Sequence, residues 1–353
     1  MGLASRILET VAQPLLALAI GLAVSALLMA IYGYDPVLAY KALFTGAYGS
    51  TYDLMETLAF AVPIMLTGIT FAIGVRAGLF NIGAEGQLYM GAIGAVIAGA
   101  FLSLPWPLHV LVATLAGMLF GLLWSVGPAL LKVFRGVHEV ISTIMFNWIA
   151  FYLATYLVLY QLAEPGRAEK TYSVLETARY GVLVEGTSLT SVLFVAIAFN
   201  IAVNVFLTQT KMGFELRMYG LNPDAARFAG ISEKKVIIVS FLIGGLAAGL
   251  AGATQVLGRP PTWALYGTLG NVVRLGFEGI GVALIGRNHP IGIIIASLFV
   301  GGLRHGGRYM EIEAGIYSEL VDAVTGLIII ALAVPEVFEA IKRYRLKRRV
   351  AGG

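Results

Sequence analysis

The chain has 353 residues, 58% of them hydrophobic and 12% charged, with a formal net charge of +4. A soluble domain carries about 25% charged residues, so this composition excludes a soluble globular fold and points to an integral membrane protein. There is no cysteine, which removes disulfides and thiolate metal sites, and His109, His138, His289 and His305 are scattered without ligand spacing.

A membrane-crossing helix needs about 20 mostly apolar residues. Residues 10–34 supply the first, after Arg6. The run is longer than the roughly 7–15 apolar residues of a signal-peptide core, so it reads as a retained span. Residues 35–56 are mixed, open with Asp35-Pro36 and predict a short helix outside the hydrocarbon core; residues 57–75 form the second span. Residues 85–131 are too long for one helix and are divided by Pro105-Trp106-Pro107. A polar segment, 132–139, leads to a further span over 140–163.

Residues 164–185 form a polar loop with Pro165-Gly166, and 186–210 form the sixth span. The polar segment 211–235 carries five basic residues, and 236–258 is the seventh span. Residues 259–271, with Pro260-Pro261 and Trp263, read as loop or re-entrant. Arg287-Asn288-His289-Pro290 cuts 275–303 into two short helices. Residues 316–335 form the last span, before a basic tail over 336–353. The expected fold is an all-α polytopic membrane protein with about ten transmembrane helices.

Basic residues favour the cytoplasmic side. Sixteen of the 24 lysines and arginines fall on one side of this topology: Arg6, Arg76, Lys132, Arg135, Lys211, Arg217, Arg227, Lys234, Lys235, Arg287, Lys342, Arg343, Arg345, Lys347, Arg348 and Arg349. Both termini are therefore expected in the cytoplasm. The run from Lys342 to Arg349 suggests nucleic acid or anionic lipid in isolation. Directly after a span it reads instead as a positive-inside anchor, and no nucleic-acid partner is expected.

Three short matches recur in order. Asp35-Pro36-Val37-Leu38-Ala39 is similar to Asn222-Pro223-Asp224-Ala225-Ala226, Ile82-Gly83-Ala84-Glu85-Gly86 to Leu275-Gly276-Phe277-Glu278-Gly279, and Glu139-Val140-Ile141 to Glu319-Leu320-Val321. Each pair falls on opposite sides of the membrane. A five-plus-five inverted repeat, with halves 10–163 and 186–335 in one transmembrane domain, would produce that pattern. Glu85 and Glu278 would then be symmetry mates flanking a passage. Chance is the competing reading, because a chain rich in Gly, Ala, Leu and Ile matches itself often.

Three polar stretches interrupt the apolar pattern. Arg76-Ala77-Gly78-Leu79-Phe80-Asn81-Ile82-Gly83-Ala84-Glu85-Gly86-Gln87 puts Asn81, Glu85 and Gln87 at the mouth of a span. Such groups are costly unless they face a cavity or a partner. The stretch reads either as a broken helix lining a path or as a tight turn with Arg76 and Glu85 paired. His138-Glu139-Val140-Ile141-Ser142-Thr143-Ile144-Met145-Phe146-Asn147-Trp148 puts Glu139, Thr143 and Asn147 on one helical face, toward a passage or in an interhelical hydrogen bond. Met218-Tyr219-Gly220-Leu221-Asn222-Pro223-Asp224-Ala225-Ala226-Arg227-Phe228-Ala229-Gly230-Ile231 predicts a short helix capped by Asn222, opened by Pro223 and ended by Gly230. Ala225, Ala226 and Ala229 would give it a thin face, suited to a partner's cleft or to an ordinary loop helix. No GxxxxGK[ST] stretch is present to cradle ATP, and no Ser/His/Asp cluster suggests catalysis.

The stretch R-A-G-L-F-N-I-G-A-E-G-Q resembles the permease subunits of ABC importers for nucleosides and simple sugars, a group that includes the ribose and branched-chain amino-acid permeases. The resemblance extends over roughly residues 30–335 and implies a type II ABC importer-like fold. It implies a substrate pathway near Asn81, Glu85, Gln87, Thr143, Asn147 and Glu278. It also implies an ATPase-coupling segment over Gly220, Asn222, Pro223, Asp224, Ala225, Ala226, Ala229, Gly230 and Ile231. The implied cargo is a nucleoside, with a ribose-like or other simple sugar as the alternative. The implied partners are an ATPase with two nucleotide sites, a second permease forming a homo- or heterodimer, and an extracellular substrate-binding lipoprotein. ATP-Mg would sit on the ATPase, with no cofactor on this plasma-membrane chain. A secondary transporter should carry an ion-coupling acid in mid-span, whereas the acids here cluster at span ends. A membrane enzyme should show a clustered catalytic set.

Overall fold

The protein is described here by a computed structural model covering residues 3–333. The basic tail 336–353, with its Lys342–Arg349 run, lies outside the described residues. Helices dominate: α1 (Leu3–Ile31), α2 (Pro36–Tyr48), α3 (Thr51–Arg76), α4 (Ala84–Phe101), α5 (Leu108–Arg135) and α6 (Glu139–Tyr156), which continues as a π-turn over Leu157–Gln161. A two-stranded antiparallel hairpin, β1 (Ala163–Glu164) and β2 (Arg167–Thr171), follows. Then come α7 (Val192–Gln209), α8 (Lys211–Leu221), α9 (Pro223–Phe228), α10 (Glu233–Leu257), α11 (Leu275–Ile285), α12 (Pro290–Glu313) and α13 (318–333).

Among the described residues, six helices are long and apolar enough to cross a membrane: α3, α5, α6 with its π-turn, α7, α10 and α12. Two shorter apolar helices, Leu15–Ile31 and Leu275–Ile285, fall below that length. The six, with the shorter apolar helices, are what the described residues show of the expected set of about ten. The segment 275–303 yields one short helix, α11, and one long helix, α12, which runs on to Glu313. Arg304 and Arg308, which follow Leu303, lie within α12 and do not break it.

The chain forms two compact units. One comprises Leu58–Gly301, the other the described residues before and after it. In the larger unit, α5 and α10 meet along small residues spaced four apart, Gly117, Gly121 and Ser125 against Gly245, Gly249 and Ala253. An added β-carbon at Gly249 would sit 2.5 Å from the Gly117 carbonyl oxygen, so the two backbones touch. Close backbone approach of this kind is what drives helix association where lipid removes the hydrophobic contrast.

In the smaller unit, buried Asp53 opens α3. Its carboxylate accepts from Ser50 Oγ at 2.5 Å and Tyr309 Oη at 2.7 Å, and lies 3.4 Å from the Nε2 of buried His305. Ser25 Oγ donates to the Val324 carbonyl at 3.3 Å, tying α1 to α13. These polar contacts fix helix register where apolar packing alone would slide.

Candidate functional site

Helix α3 ends because Gly78 takes a left-handed φ of +73° and the Leu79 N–H returns to the Gly74 carbonyl at 2.9 Å. That closure is the common glycine-terminated helix end. The chain then turns at Asn81, whose Oδ1 accepts from the Gly83 N–H at 2.9 Å, and enters α4. Helix α6 clamps this turn with one side chain. Asn147 Oδ1 accepts from the Gly86 N–H at 2.8 Å, and its Nδ2 donates to the Ile82 carbonyl at 2.9 Å. Two turns below, Glu139 accepts from the Phe80 N–H at 3.3 Å and pairs with Lys132 at 2.7 Å. Thr143, between them, donates to the Glu139 carbonyl at 2.8 Å.

Glu85 is the centre of the junction. It sits in the first turn of α4, 2% exposed, and reaches the N-terminus of α11. One carboxylate oxygen accepts from the Arg274 N–H at 2.5 Å and from Tyr89 Oη at 2.5 Å; the other accepts from the Gly276 N–H at 2.6 Å. Every neighbour is a donor, as a carboxylate requires. Two helix N-termini, its own and that of α11, add favourable partial positive charge. A β-carbon on Gly276 would run into the Glu85 backbone, so only glycine allows this approach. Thr67 Oγ1 donates to the Leu275 carbonyl at 2.8 Å, fixing α3 to the same point.

The structure therefore brings Asn81, Glu85, Gln87, Thr143 and Asn147 together, all buried, around the start of α4. Glu278 is half-buried one turn into α11. The side chains differ in what they have left to offer. Those of Glu85, Thr143 and Asn147 are occupied within the chain, whereas both amide atoms of buried Gln87 and the Nδ2 of Asn81 lack a hydrogen-bond partner. Arg76 does not pair with Glu85. Its Nε donates to the Asn288 carbonyl at 2.9 Å, closing the C-terminal end of α11. Burial, and secondarily the Arg76 guanidinium, hold the nearby His289 imidazole below its ordinary pKa.

The expected short helix forms as α9. Asn222 Oδ1 accepts from the Asp224 and Ala225 N–H groups at 3.1 and 3.2 Å, Pro223 opens the helix, and Gly230 leaves it at φ +80°. Its thin face is not the one expected: Ala226 is 4% exposed, while Ala225, Ala229 and Phe228 face outward, Phe228 at 94%. The helix register turns Ala226 inward once Asn222 fixes the first turn. At the end of α8, Gly220 packs backbone to backbone on Arg76 and Gly78; a β-carbon there would strike the Arg76 carbonyl oxygen and lie 2.9 Å from the Gly78 nitrogen. This contact joins the α8–α9 pair directly to the polar turn.

Sequence reasoning missed three members of the junction: Tyr89, Arg274 and Gly276. Tyr89 was legible, since it stands four residues after Glu85 on one helix face. Arg274 and Gly276 contribute backbone N–H groups, which no side-chain pattern announces.

Buried polar contacts joining apolar helices, with one short helix, α11, meeting α4 at a carboxylate, fit a multi-pass membrane protein of the transport type. Residues 54–333 match the family described as branched-chain amino acid transport system / permease component, and the chain belongs to that family. The guanosine ABC transporter permease protein NupP of Bacillus subtilis is 38% identical over 91% of this chain and 92% of its own length. The glucose ABC transporter permease protein TsgB13 of Haloferax volcanii is 33% identical over 94% of this chain and 89% of its own. A second Bacillus subtilis guanosine permease protein, NupQ, is 28% identical over 69% of this chain and 78% of its own.

Proposed function

We propose that this chain is the pore-forming permease subunit of an ATP-driven importer whose cargo is a nucleoside. The observation that carries the mechanism is the backbone contact of Gly220 with Arg76 and Gly78. Through it, a push on α9 by an ATPase reaches the turn that Asn147 and Glu139 clamp, and so α4 and α11. The greater identity to a guanosine permease than to a glucose permease favours the nucleoside over the sugar. NupP and NupQ are two matching permeases from one organism, which favours a heterodimeric pore. ATP-Mg would be held by a separate ATPase with two nucleotide sites, and cargo delivered by an external binding lipoprotein.

In this proposal Glu85, Thr143, Asn147 and Glu278 set the helices that border the pathway. Asn81 and Gln87, with hydrogen-bonding capacity left, meet the cargo when the junction opens. The ATPase contact is the outward face of Ala225, Phe228 and Ala229, held in place by Gly220, Asn222, Pro223, Asp224, Ala226, Gly230 and Ile231. Both termini are cytoplasmic. Ten membrane-embedded helices, α1, α3 to α7 and α10 to α13, form a five-plus-five inverted repeat. The matching caps support that repeat: Asp35 Oδ1 accepts from the Val37 and Leu38 N–H groups just as Asn222 Oδ1 accepts from those of Asp224 and Ala225.

Vesicles holding the permeases and the ATPase, supplied with the external binding lipoprotein, should take up guanosine only with ATP. Single cysteines at Ala225 and Phe228 should cross-link to the ATPase. Cross-links from the 164–185 loop instead would overturn the orientation, and uptake of glucose but not guanosine would overturn the cargo.

A further inference from the structure

The loop between α10 and α11, residues 258–274, is held at both ends by groups from elsewhere in the larger unit. At its far end the Arg274 N–H and, just inside α11, the Gly276 N–H donate to the Glu85 carboxylate at 2.5 and 2.6 Å. At its near end the loop runs along the other edge of β2. The Thr171 N–H donates to the Leu265 carbonyl at 2.9 Å, the Gly267 N–H donates to the Glu169 carbonyl at 2.7 Å, and Lys170 and Tyr266 stand opposite each other in antiparallel pairing. The fully buried Thr171 hydroxyl accepts from the Leu265 N–H at 3.1 Å, and the Val174 N–H donates to the Trp263 carbonyl at 2.8 Å. A two-stranded hairpin is marginal by itself; this one is completed by the loop.

The loop is also strained. Five non-glycine residues have left-handed φ among the described residues, and three of them lie in it: Trp263 at +48°, Leu269 at +55° and Arg274 at +73°. Such backbone persists only where its surroundings over-determine it, and it gathers at switches. Here β2 holds one end and Glu85 the other. Asn271 ties the loop to itself between them, its Nδ2 donating to the Ala264 carbonyl at 3.0 Å and its Oδ1 accepting from the Tyr266 N–H at 3.4 Å. A displacement of the hairpin is therefore felt at Arg274 and, through Glu85, at α4. The hairpin itself is within reach of a soluble partner. Four of the seven residues 164–170 are charged, which keeps them out of lipid, and Pro165, Gly166, Arg167 and Glu169 are exposed at the tip.

We propose that the hairpin is the handle by which the external binding lipoprotein works the Glu85 junction. The lipoprotein presses on the tip, β2 carries the loop with it, and the Arg274 and Gly276 N–H groups leave the carboxylate, freeing α11 from α4. Tyr89, on the same helix as Glu85, stays with the carboxylate. Thr171 is the positioning residue of this linkage. The inference rests on the importer reading and orientation given above and deepens them, by assigning the lipoprotein a contact and a task.

The test uses the complete transporter in vesicles, with the lipoprotein loaded with guanosine. Thr171→Val removes the hydroxyl that holds Leu265 and leaves the exposed tip untouched. The ratio of ATP hydrolysis with the lipoprotein to that without it should fall toward one, and the maximal uptake rate should fall with it. The lipoprotein concentration that half-saturates uptake should keep its wild-type value. Thr171→Ser, which keeps the hydroxyl, should restore ratio and rate. Arg167→Glu, on the tip, should instead raise the half-saturating concentration. A hairpin that is only structural would lower both rates of hydrolysis alike and leave the ratio unchanged; that result, or an unaltered half-saturating concentration in Arg167→Glu, would overturn the proposal while the importer reading stands. If the lipoprotein neither speeds hydrolysis nor supports guanosine uptake in the wild type, the importer reading fails and the linkage with it. A second arm covers poor folding of Thr171→Val. In this cysteine-free chain, Lys170→Cys with Tyr266→Cys places a disulfide across the directly opposite pair, where antiparallel Cα atoms without mutual hydrogen bonds lie about 4.5 Å apart. Uptake should survive oxidation, because strand and loop move as one body. Loss of uptake on oxidation, restored by reductant, would overturn the proposal.

Discussion

Helices α5 and α6 turn outward faces of the same spacing and opposite chemistry. Along one face α5 exposes Leu108, Leu111, Leu115, Leu119, Leu123, Leu130 and Phe134; α6 with its π-turn exposes Ile141, Met145, Trp148, Tyr152, Tyr156 and Tyr160, with Ile144 and Ile149 beside them. Both rows follow the three- and four-residue steps of one helix face. The α5 row has no polar atom and is suited to lipid throughout. The α6 row carries polar tips, Trp148 and Tyr152 within the span and Tyr156 and Tyr160 toward its far end, where aromatic residues gather at the membrane boundary. The inward faces differ too: α5 packs through Gly117 and Gly121, α6 through Ser142, Thr143 and Asn147. Periodicity therefore reports which side of a membrane helix is outside the protein, and side-chain chemistry reports what lies there.

The largest effect is expected on the inward face of α5. Gly121→Val would place a β-carbon 2.5 Å from the Gly245 carbonyl oxygen and the Gly249 Cα. Backbone cannot yield as a side chain does, so the cost should exceed the about 1–3 kcal/mol of ordinary overpacking. Loss of the monodisperse peak after detergent extraction is the expected readout, and a normal peak would remove the close-packing account of α5.

Next comes the inward face of α6. Asn147→Leu leaves the Gly86 N–H and the Ile82 carbonyl without partners, at about 1–3 kcal/mol for each orphaned group. A lowered thermal midpoint in detergent is expected, together with reduced uptake. Asn147→Asp keeps the acceptor for Gly86 and should fall between the two. An unchanged midpoint for Asn147→Leu would mean that the clamp contributes nothing.

A smaller effect separates the two faces of α9. Ala226→Trp forces a large ring into a buried position and should lower the thermal midpoint. Ala225→Trp, on the exposed side, should leave it within about 0.5 kcal/mol of wild type while reducing ATPase stimulation by cargo. Equal destabilisation by both would erase the inward–outward distinction.

The smallest effect is on the outward faces themselves. Leu119→Trp and Trp148→Leu should each change stability by less than about 1 kcal/mol, because neither site is enclosed. Uptake then discriminates: the exchange on α5 should leave nucleoside transport intact, and the exchange on α6 should weaken it. Equal transport in both variants would collapse the comparison between the helices.

Much of the local structure was legible in the residues. Asp35-Pro36 and Asn222-Pro223 announce helix starts, and both caps form through the expected side-chain oxygens. Gly230 ends α9 in the left-handed conformation that glycine tolerates. The cluster of Asn81, Glu85, Gln87, Thr143 and Asn147 was legible as well, since polar groups within apolar runs must find one another or a cavity. Gly78, which the sequence places only within a polar stretch, acquires its role from Gly220, more than a hundred residues away.

By itself the sequence determined that the chain lives in a membrane, where the capped helices α2 and α9 begin and which positions are polar inside it. These follow from composition, capping and spacing, each acting within a few residues. Tertiary structure alone decided that Glu85 reaches across to the Arg274 and Gly276 backbone, that Arg76 turns instead to Asn288, that Ala226 faces inward, and that 275–303 becomes one short helix and one long one. A carboxylate or guanidinium in an apolar surrounding bonds whatever donor or acceptor packing brings within reach. When that partner is a backbone group nearly two hundred residues away, no local pattern in the sequence records it.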